Sequence, residues 1–227
     1  VFLLSFIPGT LAVVLLLVGL RERETAHSAG GGTFSFRSAW TEMPGSFRKY
    51  LLIILIFTLG NSTDAFLLVR AQALGVPIAL LPTIWVILHI VKMAFSVPGG
   101  MFSDRLGRKR VIVTGWLVYA LVYAGFAFAS RQWHVWALFA AYGIYFGLTE
   151  GVEKALVADL APTHLRGSAF GLYHLTVGIG AFPASLVFGL VWERLGAAAA
   201  FGMGAGLALL SSVMLAALRE KEPRKVH

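Results

Sequence analysis

The segment Gly100–Arg110, with the sequence G-M-F-S-D-R-L-G-R-K-R, separates two long apolar runs and decides how the chain is organised. Four cationic residues of the segment lie directly at the ends of those runs: Arg105, Arg108, Lys109 and Arg110. Cationic loops of this kind are retained in the cytoplasm when a membrane protein inserts. Gly107 permits a tight turn. The segment is therefore predicted to be a short cytoplasmic hairpin between two membrane spans.

The composition indicates an integral membrane protein. The 227 residues are 58% hydrophobic and 13% charged, with a mean hydropathy of +0.78. A soluble domain is only about 45–50% apolar. The net charge of +8 is explained by topology and by attraction to anionic lipid headgroups. A nucleic-acid site is disfavoured because so short a loop presents no groove-reading element. The absence of cysteine excludes disulfides, thiolate metal sites and cysteine nucleophiles.

Seven apolar runs each approach or exceed the roughly 20 residues that cross a bilayer. None alternates with the period of two that a membrane β-barrel strand requires, so all are predicted to be helices. The expected fold is an all-α integral membrane bundle with these seven transmembrane helices: Val1–Leu20, Phe47–Arg70, Ile78–Met101, Val111–Ala129, Val135–Leu160, Gly167–Trp192 and Ala197–Leu218.

The distribution of Lys and Arg predicts the orientation of the helices. Fourteen of these residues fall on one side of the predicted spans, and only Arg70, Arg131 and Arg194 fall on the other. Positive charge accumulates on the cytoplasmic side. The C-terminus is therefore expected in the cytoplasm, with Val1 outside.

The charged segment, written G-x-x-x-D-R-x-G-R-K-R, resembles the loop signature of major facilitator superfamily transporters, which joins their second and third and their eighth and ninth helices. A second segment, Ala158–Gly171, contains D-x-x-P-x-x-x-R-G-x-x-x-G and is similar to the junction between the tenth and eleventh helices. Facilitators consist of two six-helix halves. The resemblance implies that this chain corresponds to the sixth to twelfth helices.

This correspondence to the sixth to twelfth helices implies a division of the chain into domains. Residues 1–20 resemble the last helix of the N-terminal half, residues 21–46 the central cytoplasmic linker, residues 47–218 a six-helix C-terminal bundle and residues 219–227 a cytoplasmic tail. The expected partner is the N-terminal half of the same transporter. The resemblance also implies that Asp104 sits near the N-terminus of the helix that starts around Arg166, in a charged latch that opens when the protein changes state. The residues expected in this gating motif are Gly100, Asp104, Arg105, Gly107, Arg108, Lys109, Asp159 and Arg166.

Polar and ionisable residues inside the spans are the candidates for function, because each ionisable one costs about 2.5–3.5 kcal/mol at a helix centre. Asn61 and Asp64 are expected on one helical face, as are His89 and Lys92, and Glu150 and Glu153, from their spacing of three. Glu150 can also pair with a lysine four residues later. The full set is Asn61, Asp64, His89, Lys92, Glu150, Glu153, Lys154 and His174.

Two interpretations of these groups remain open. A carboxylate in a medium of low dielectric favours its protonated form, so Asp64 or Glu150 can bind and release a proton during a transport cycle. Alternatively, Lys92 and Lys154 neutralise the acids in a static network. Asp64 is the preferred coupling candidate, because its neighbours are polar and no Lys or Arg lies within four residues of it.

The function predicted from these features is secondary active transport of a small solute by alternating access, coupled to protons, in a bacterial-type inner or plasma membrane. Uptake and efflux are not distinguished. The alternatives are a facilitated uniporter, a non-transporting receptor or scaffold, and a membrane enzyme that uses Glu150, His174 and Asp64. The sequence contains no Walker loop and no H-E-x-x-H motif, and no metal or cofactor is expected.

Overall fold

A computed structural model describes Thr10, Val14 and residues 40–218 of the chain. Every regular element within residues 40–218 is a helix. Single turns of 3₁₀ helix, Ile78–Leu80 and Thr163–Leu165, lead into two of the long helices. The α-helices are α1 (Gly45–Gly60), α2 (Ala65–Ala73), α3 (Leu81–Leu106), α4 (Arg108–Phe128), α5 (Gln132–Leu160), α6 (Arg166–Leu195) and α7 (Ala197–Ala217).

Six helical segments within the described residues are long and apolar enough to cross a membrane, with α1 and α2 together forming the first. The predicted all-α membrane fold is confirmed for this part of the chain. Contacts divide the chain into two units, residues 1–36 and 37–227, and the six spans belong to the second. The span predicted at 1–20 and the tail at 219–227 lie outside the described residues, apart from Thr10 and Val14, as does most of the predicted linker.

The bundle has an aromatic interior. Helix α3 packs mainly on α5, α4 packs on α5 and α7, and α1 lies against α6 and α7. In lipid the hydrophobic effect does not drive helices together, so close packing and interhelical hydrogen bonds hold the bundle. Phe57 of α1 stacks on Trp116 of α4 with ring centroids 4.4 Å apart. Tyr119 stacks on Tyr123 at 4.2 Å.

Glycines bring α3 and α5 into backbone contact. A Cβ added at Gly147 would lie 2.7 Å from the carbonyl oxygen of Lys92, and one at Gly143 would lie 2.5 Å from that of Leu88. A Cβ at Gly99 would lie 2.8 Å from the carbonyl oxygen of Gly147. The close contact between α3 and α5 is therefore present at Gly143 and Gly147. It does not extend to Gly151, where an added Cβ meets nothing within 4 Å.

The charged segment is helical over most of its length, so the predicted hairpin loop is wrong in detail. Helix α3 continues through it to Leu106, and α4 begins at Arg108. Gly107 alone makes the turn, with φ of +92°, a left-handed conformation that costs glycine least. Gly100 of the expected gating motif has open space around it, and its neighbour Gly99 makes the close contact with α5.

The predicted span Phe47–Arg70 is interrupted. Helix α1 ends at Gly60 and α2 begins at Ala65. The residues between them are polar: Asn61, Ser62, Thr63 and Asp64. Short polar side chains compete for backbone hydrogen bonds, which favours a break at this position. The end of α1 therefore lies inside the span, where neighbouring helices must supply hydrogen-bond partners for its backbone groups.

Candidate functional site

The helix break is held by tyrosines from α4 and α5. The Tyr119 hydroxyl donates to the carbonyl oxygen of Gly60 at 3.0 Å, which satisfies an acceptor at the end of α1. The Tyr142 hydroxyl donates to Oδ1 of Asp64 at 2.8 Å. Because the chain is unwound here, the expectation that Asn61 and Asp64 share a helical face is wrong. The two residues instead lie at opposite ends of the break.

Glu153 of α5 is the most deeply buried acidic side chain that the structure describes, with 9% of its surface exposed. Oε1 accepts a hydrogen bond from Nε1 of Trp116 at 2.8 Å, and Oε2 accepts one from the Tyr173 hydroxyl at 2.9 Å. Within the described residues no lysine or arginine forms an ion pair with Glu153. Neutral donors from α4 and α6 therefore supply the polar contacts of this carboxylate.

Glu150 has different surroundings from Glu153. Its Oε2 lies 2.5 Å from Nζ of Lys92 on α3, and its Oε1 lies 3.4 Å from Nζ of Lys154. The intrahelical pair expected from the sequence is therefore present, and α3 adds a second cation. Lys92 also lies 5.1 Å from the centre of the Phe146 ring. Although Glu150 and Glu153 are three residues apart, Glu150 is exposed and Glu153 is buried.

The charged groups of α3 and α5 line a groove of about 510 Å³. Lys92, Glu150 and Lys154 lie in its wall, and Ser96 adds a hydroxyl. The groove reaches Arg108 at the turn between α3 and α4. It therefore offers positive, negative and hydrogen-bonding groups to a polar solute.

The two candidate histidines are exposed. The Nδ1 atom of His89 lies 2.9 Å from the carbonyl oxygen of Trp85, one turn earlier. The ring of His174 packs against that of Tyr173, with centroids 5.2 Å apart. Within the described residues no hydrogen bond or ion pair joins Asp64, Glu150 and His174 into the acid–base set that a membrane enzyme would need.

Arg108 joins two helix ends at the charged segment. Its Nη1 lies 2.7 Å from Oδ1 of Asp104, and its Nε lies 3.2 Å from Oδ2 of Asp159 at the end of α5. Nη1 also donates to the Ser103 hydroxyl at 2.7 Å. Nearby, the Lys109 ammonium donates to the carbonyl oxygen of Leu218 after α7. The ends of α3, α4, α5 and α7 thus meet at one end of the bundle.

This arrangement corrects the geometry expected for the latch. The resemblance implies that Asp104 lies near the N-terminus of the helix that starts around Arg166, but its ion-pair partner is Arg108, four residues later and across the Gly107 turn. Helix α6 begins with no side-chain cap. Arg105 and Arg166 are both exposed. The ion pairs therefore lock the α3–α4 turn to the end of α5.

The candidate set drawn from the sequence does not include the aromatic donors Trp116, Tyr142 and Tyr173. Nothing in the local pattern separates them from the other aromatic residues of an apolar helix, and only the packed bundle brings them to the acids. The set also omits Arg70, which donates to the carbonyl oxygens of Phe126 at 3.2 Å and Ala129 at 2.8 Å. Arg70 therefore caps the end of α4.

The Major Facilitator Superfamily model matches residues 65–227, which is more than two thirds of the chain. The chain belongs to the major facilitator superfamily. The six spans within the described residues are the number that one half of a facilitator contains.

The chain is also similar to two curated proteins. The uncharacterised MFS-type transporter MJ1317 of Methanocaldococcus jannaschii is 35% identical over 211 residues, which are 88% of this chain and 52% of that protein. The multidrug resistance protein MdtH of Yersinia enterocolitica is 32% identical over 99 residues, 44% of this chain and 25% of that protein. This facilitator chain spans about half the length of MJ1317.

A solved transporter structure shares the fold. The POT family transporter PepTSo superposes with a TM-score of 0.63 over 80% of this chain and 40% of that protein. The sequence identity is 19%, so this likeness supports the arrangement of the helices only.

Proposed function

We propose that this facilitator is a secondary active transporter that couples the movement of a small solute to protons through Glu153. The observation that carries the proposal is the buried carboxylate of Glu153, which accepts hydrogen bonds from Trp116 and Tyr173 and forms no ion pair within the described residues. An isolated carboxylate is costly to bury in its charged form. Protonation removes that cost.

The position of Glu153 ties its charge to the packing of the bundle. Its two hydrogen bonds connect α5 to α4 and to α6, and the Tyr50 hydroxyl of α1 lies 3.4 Å from its backbone oxygen. A state that opens water access between these helices favours the ionised form, and a closed state favours the protonated form. This difference in affinity for the proton is what links binding to conformation.

Asp64 remains a second candidate for the coupling site, as its sequence context predicts. Its carboxylate is half-buried and has a neutral partner in Tyr142. Glu150 is less suitable, because Lys92 and Lys154 both neutralise it. The static interpretation therefore fits Glu150, and the coupling interpretation fits Glu153 and Asp64.

The groove between α3 and α5 is the proposed contact for the solute. A polar solute could replace Lys92 as the partner of Glu150, or Glu150 as the partner of Lys92. Either replacement would break the ion pair between α3 and α5, so substrate binding would loosen the contact between these helices. We propose that the N-terminal half of the polypeptide covers this groove, as the two-half architecture of facilitators requires. Because one relative is named a multidrug resistance protein, amphipathic and cationic drugs are the first solutes to test.

Transport into liposomes tests the proposal. The purified protein is reconstituted, a solute panel is screened by counterflow, and accumulation of the transported solute is followed with and without an imposed pH gradient. We expect accumulation that a protonophore abolishes. Solute equilibration that ignores the pH gradient would indicate a uniporter, and no flux across the panel would favour the receptor or scaffold.

Replacement of Arg108 by Gln should slow transport severalfold without preventing insertion. Exposed ion pairs contribute about 0–1 kcal/mol each, and this change removes the pairs with both Asp104 and Asp159. The neighbouring cations that set topology remain. The measurement is the initial rate of solute exchange at matched protein density. Arg105→Gln removes an equally charged but exposed residue and serves as the control, and equal rates in both variants would leave Arg108 with a topological role only.

The proposed orientation places the α5–α6 turn in the cytoplasm. The protein has no native cysteine, so single substitutions report cleanly. With a membrane-impermeant maleimide on intact cells, we expect labelling of Gln132→Cys at the start of α5 and protection of His164→Cys before α6; both positions are exposed. Labelling of His164→Cys but not of Gln132→Cys would show the opposite orientation.

A further inference from the structure

The break between α1 and α2 gathers oxygen atoms inside the bundle. The end of α1 leaves carbonyl groups without helical partners, and such an end carries partial negative charge. The carbonyl oxygen of Gly60 and Oδ1 of Asn61 both lie within reach of the Tyr119 hydroxyl, at 3.0 and 3.4 Å. The Asp64 carboxylate follows three residues later, and Tyr142 holds one of its oxygens.

Two hydroxyl groups at this break have no hydrogen-bond partner among the described residues: Oγ of Ser62 and the hydroxyl of Tyr123. Ser62 is 4% exposed and Tyr123 is 0% exposed. The Tyr123 ring stacks on that of Tyr119, with centroids 4.2 Å apart, and lies 6.4 Å from that of Tyr142, so it sits beside the two tyrosines that hold the break. Buried polar atoms nearly always have a hydrogen-bond partner. Two hydroxyl oxygens without one, close to a carboxylate, therefore indicate that a cation binds there.

The charge of the cluster selects a monovalent ion. Asp64 is its only acidic group, and the part of the chain that the structure describes holds no group of three or more His, Cys, Asp or Glu residues suited to a metal ion. His89 and Lys92 of α3 also interact with Asp64, and Lys92 is already paired with Glu150. One carboxylate with several neutral oxygens balances a single positive charge, whereas hard divalent ions are held by more carboxylates.

We propose that the α1–α2 break binds a sodium ion through the carboxylate of Asp64, the hydroxyls of Ser62 and Tyr123 and the oxygens at the end of α1. Unwound backbone and the C-terminal ends of half-helices are known to coordinate sodium in membrane transporters. The ion would hold α1 and α2 against α4 and α5. This site is separate from Glu153, so it adds a second coupling ion to the proposed function.

Thermal unfolding of the purified protein in detergent tests the site. The midpoint is measured against increasing NaCl, with choline chloride added to keep ionic strength constant, and again with KCl in place of NaCl. We expect a saturable rise of the midpoint with sodium. Ser62→Ala and Tyr123→Phe should weaken the apparent sodium affinity about 10-fold, the size of effect that follows loss of a supporting group at a metal site, and Asp64→Asn should abolish the response.

Ser212→Ala is the matched control, since Ser212 is also buried but donates within its own helix to the carbonyl oxygen of Ala208 at 2.8 Å. It should keep the full sodium response. A midpoint that responds to pH but not to sodium, or an unchanged sodium response in all three site variants, would overturn the proposal. Proton coupling through Glu153 is measured in sodium-free buffer, so failure of one idea leaves the other intact.

Discussion

Substitution of Gly147 by Ala is expected to destabilise the bundle by about 1–3 kcal/mol or more, the usual cost of overpacking. The added methyl group would lie 2.7 Å from the carbonyl oxygen of Lys92 and 2.7 Å from Cβ of Phe95. The first of these is backbone, so α3 must move away from α5. The measurement is the midpoint of thermal or denaturant unfolding in detergent, which should fall clearly below that of the parent.

Gly151→Ala is the matched control for this prediction. Gly151 lies one turn further along α5, and a Cβ there meets nothing within 4 Å. Removal of a glycine from a helix interior gains about 1 kcal/mol of helix propensity in both variants, so their difference reports the α3–α5 contact alone. Equal unfolding midpoints would contradict the packing described here.

Replacement of Glu153 by Gln should abolish accumulation driven by a pH gradient and leave solute exchange intact. Gln has nearly the same shape and no charge, so it imitates the protonated carboxyl. Its oxygen can still accept from Trp116, and its amide can donate to the Tyr173 hydroxyl, which is free to reverse. The bundle therefore keeps its contacts while the proton site is lost. Both activities are measured on the same liposomes.

Glu193→Gln provides the control, because Glu193 is an exposed acid near the end of α6. It should keep both exchange and accumulation. If Glu153→Gln accumulates solute as well as the parent does, Glu153 is not the coupling site and Asp64 becomes the leading candidate. Loss of exchange as well as accumulation would show that Glu153 has a structural role instead.

The number and type of the helices could be predicted from hydropathy, because a membrane span must be long, apolar and helical. The local details could not. Hydropathy does not reveal the break between Gly60 and Ala65. The four polar residues are flanked by enough apolar residues to keep the average hydropathy of the segment high. Likewise, the charges at Asp104 and Arg105 suggested a loop, but charged residues continue a helix readily once it leaves the hydrocarbon.

The candidate site could be predicted only in part from the sequence, for a related reason. The pair of Glu150 and Lys154 follows from helical spacing and is present. The burial of Glu153 does not follow from it, because lipid-facing and protein-facing sides of these helices are both apolar and the sequence carries no amphipathic signal. Its partners Trp116 and Tyr173 lie 37 and 20 residues away along the chain, so only the packed bundle reveals them.

The most direct measurement of proton coupling is the solute gradient at which net flux stops in liposomes with a fixed pH gradient and no membrane potential. For one proton per uncharged solute, the account predicts a tenfold solute ratio for each pH unit, since each corresponds to about 1.4 kcal/mol. Glu153→Gln should show no such balance point. Net flux of the parent that always stops at equal solute concentrations, whatever the pH gradient, would contradict the account.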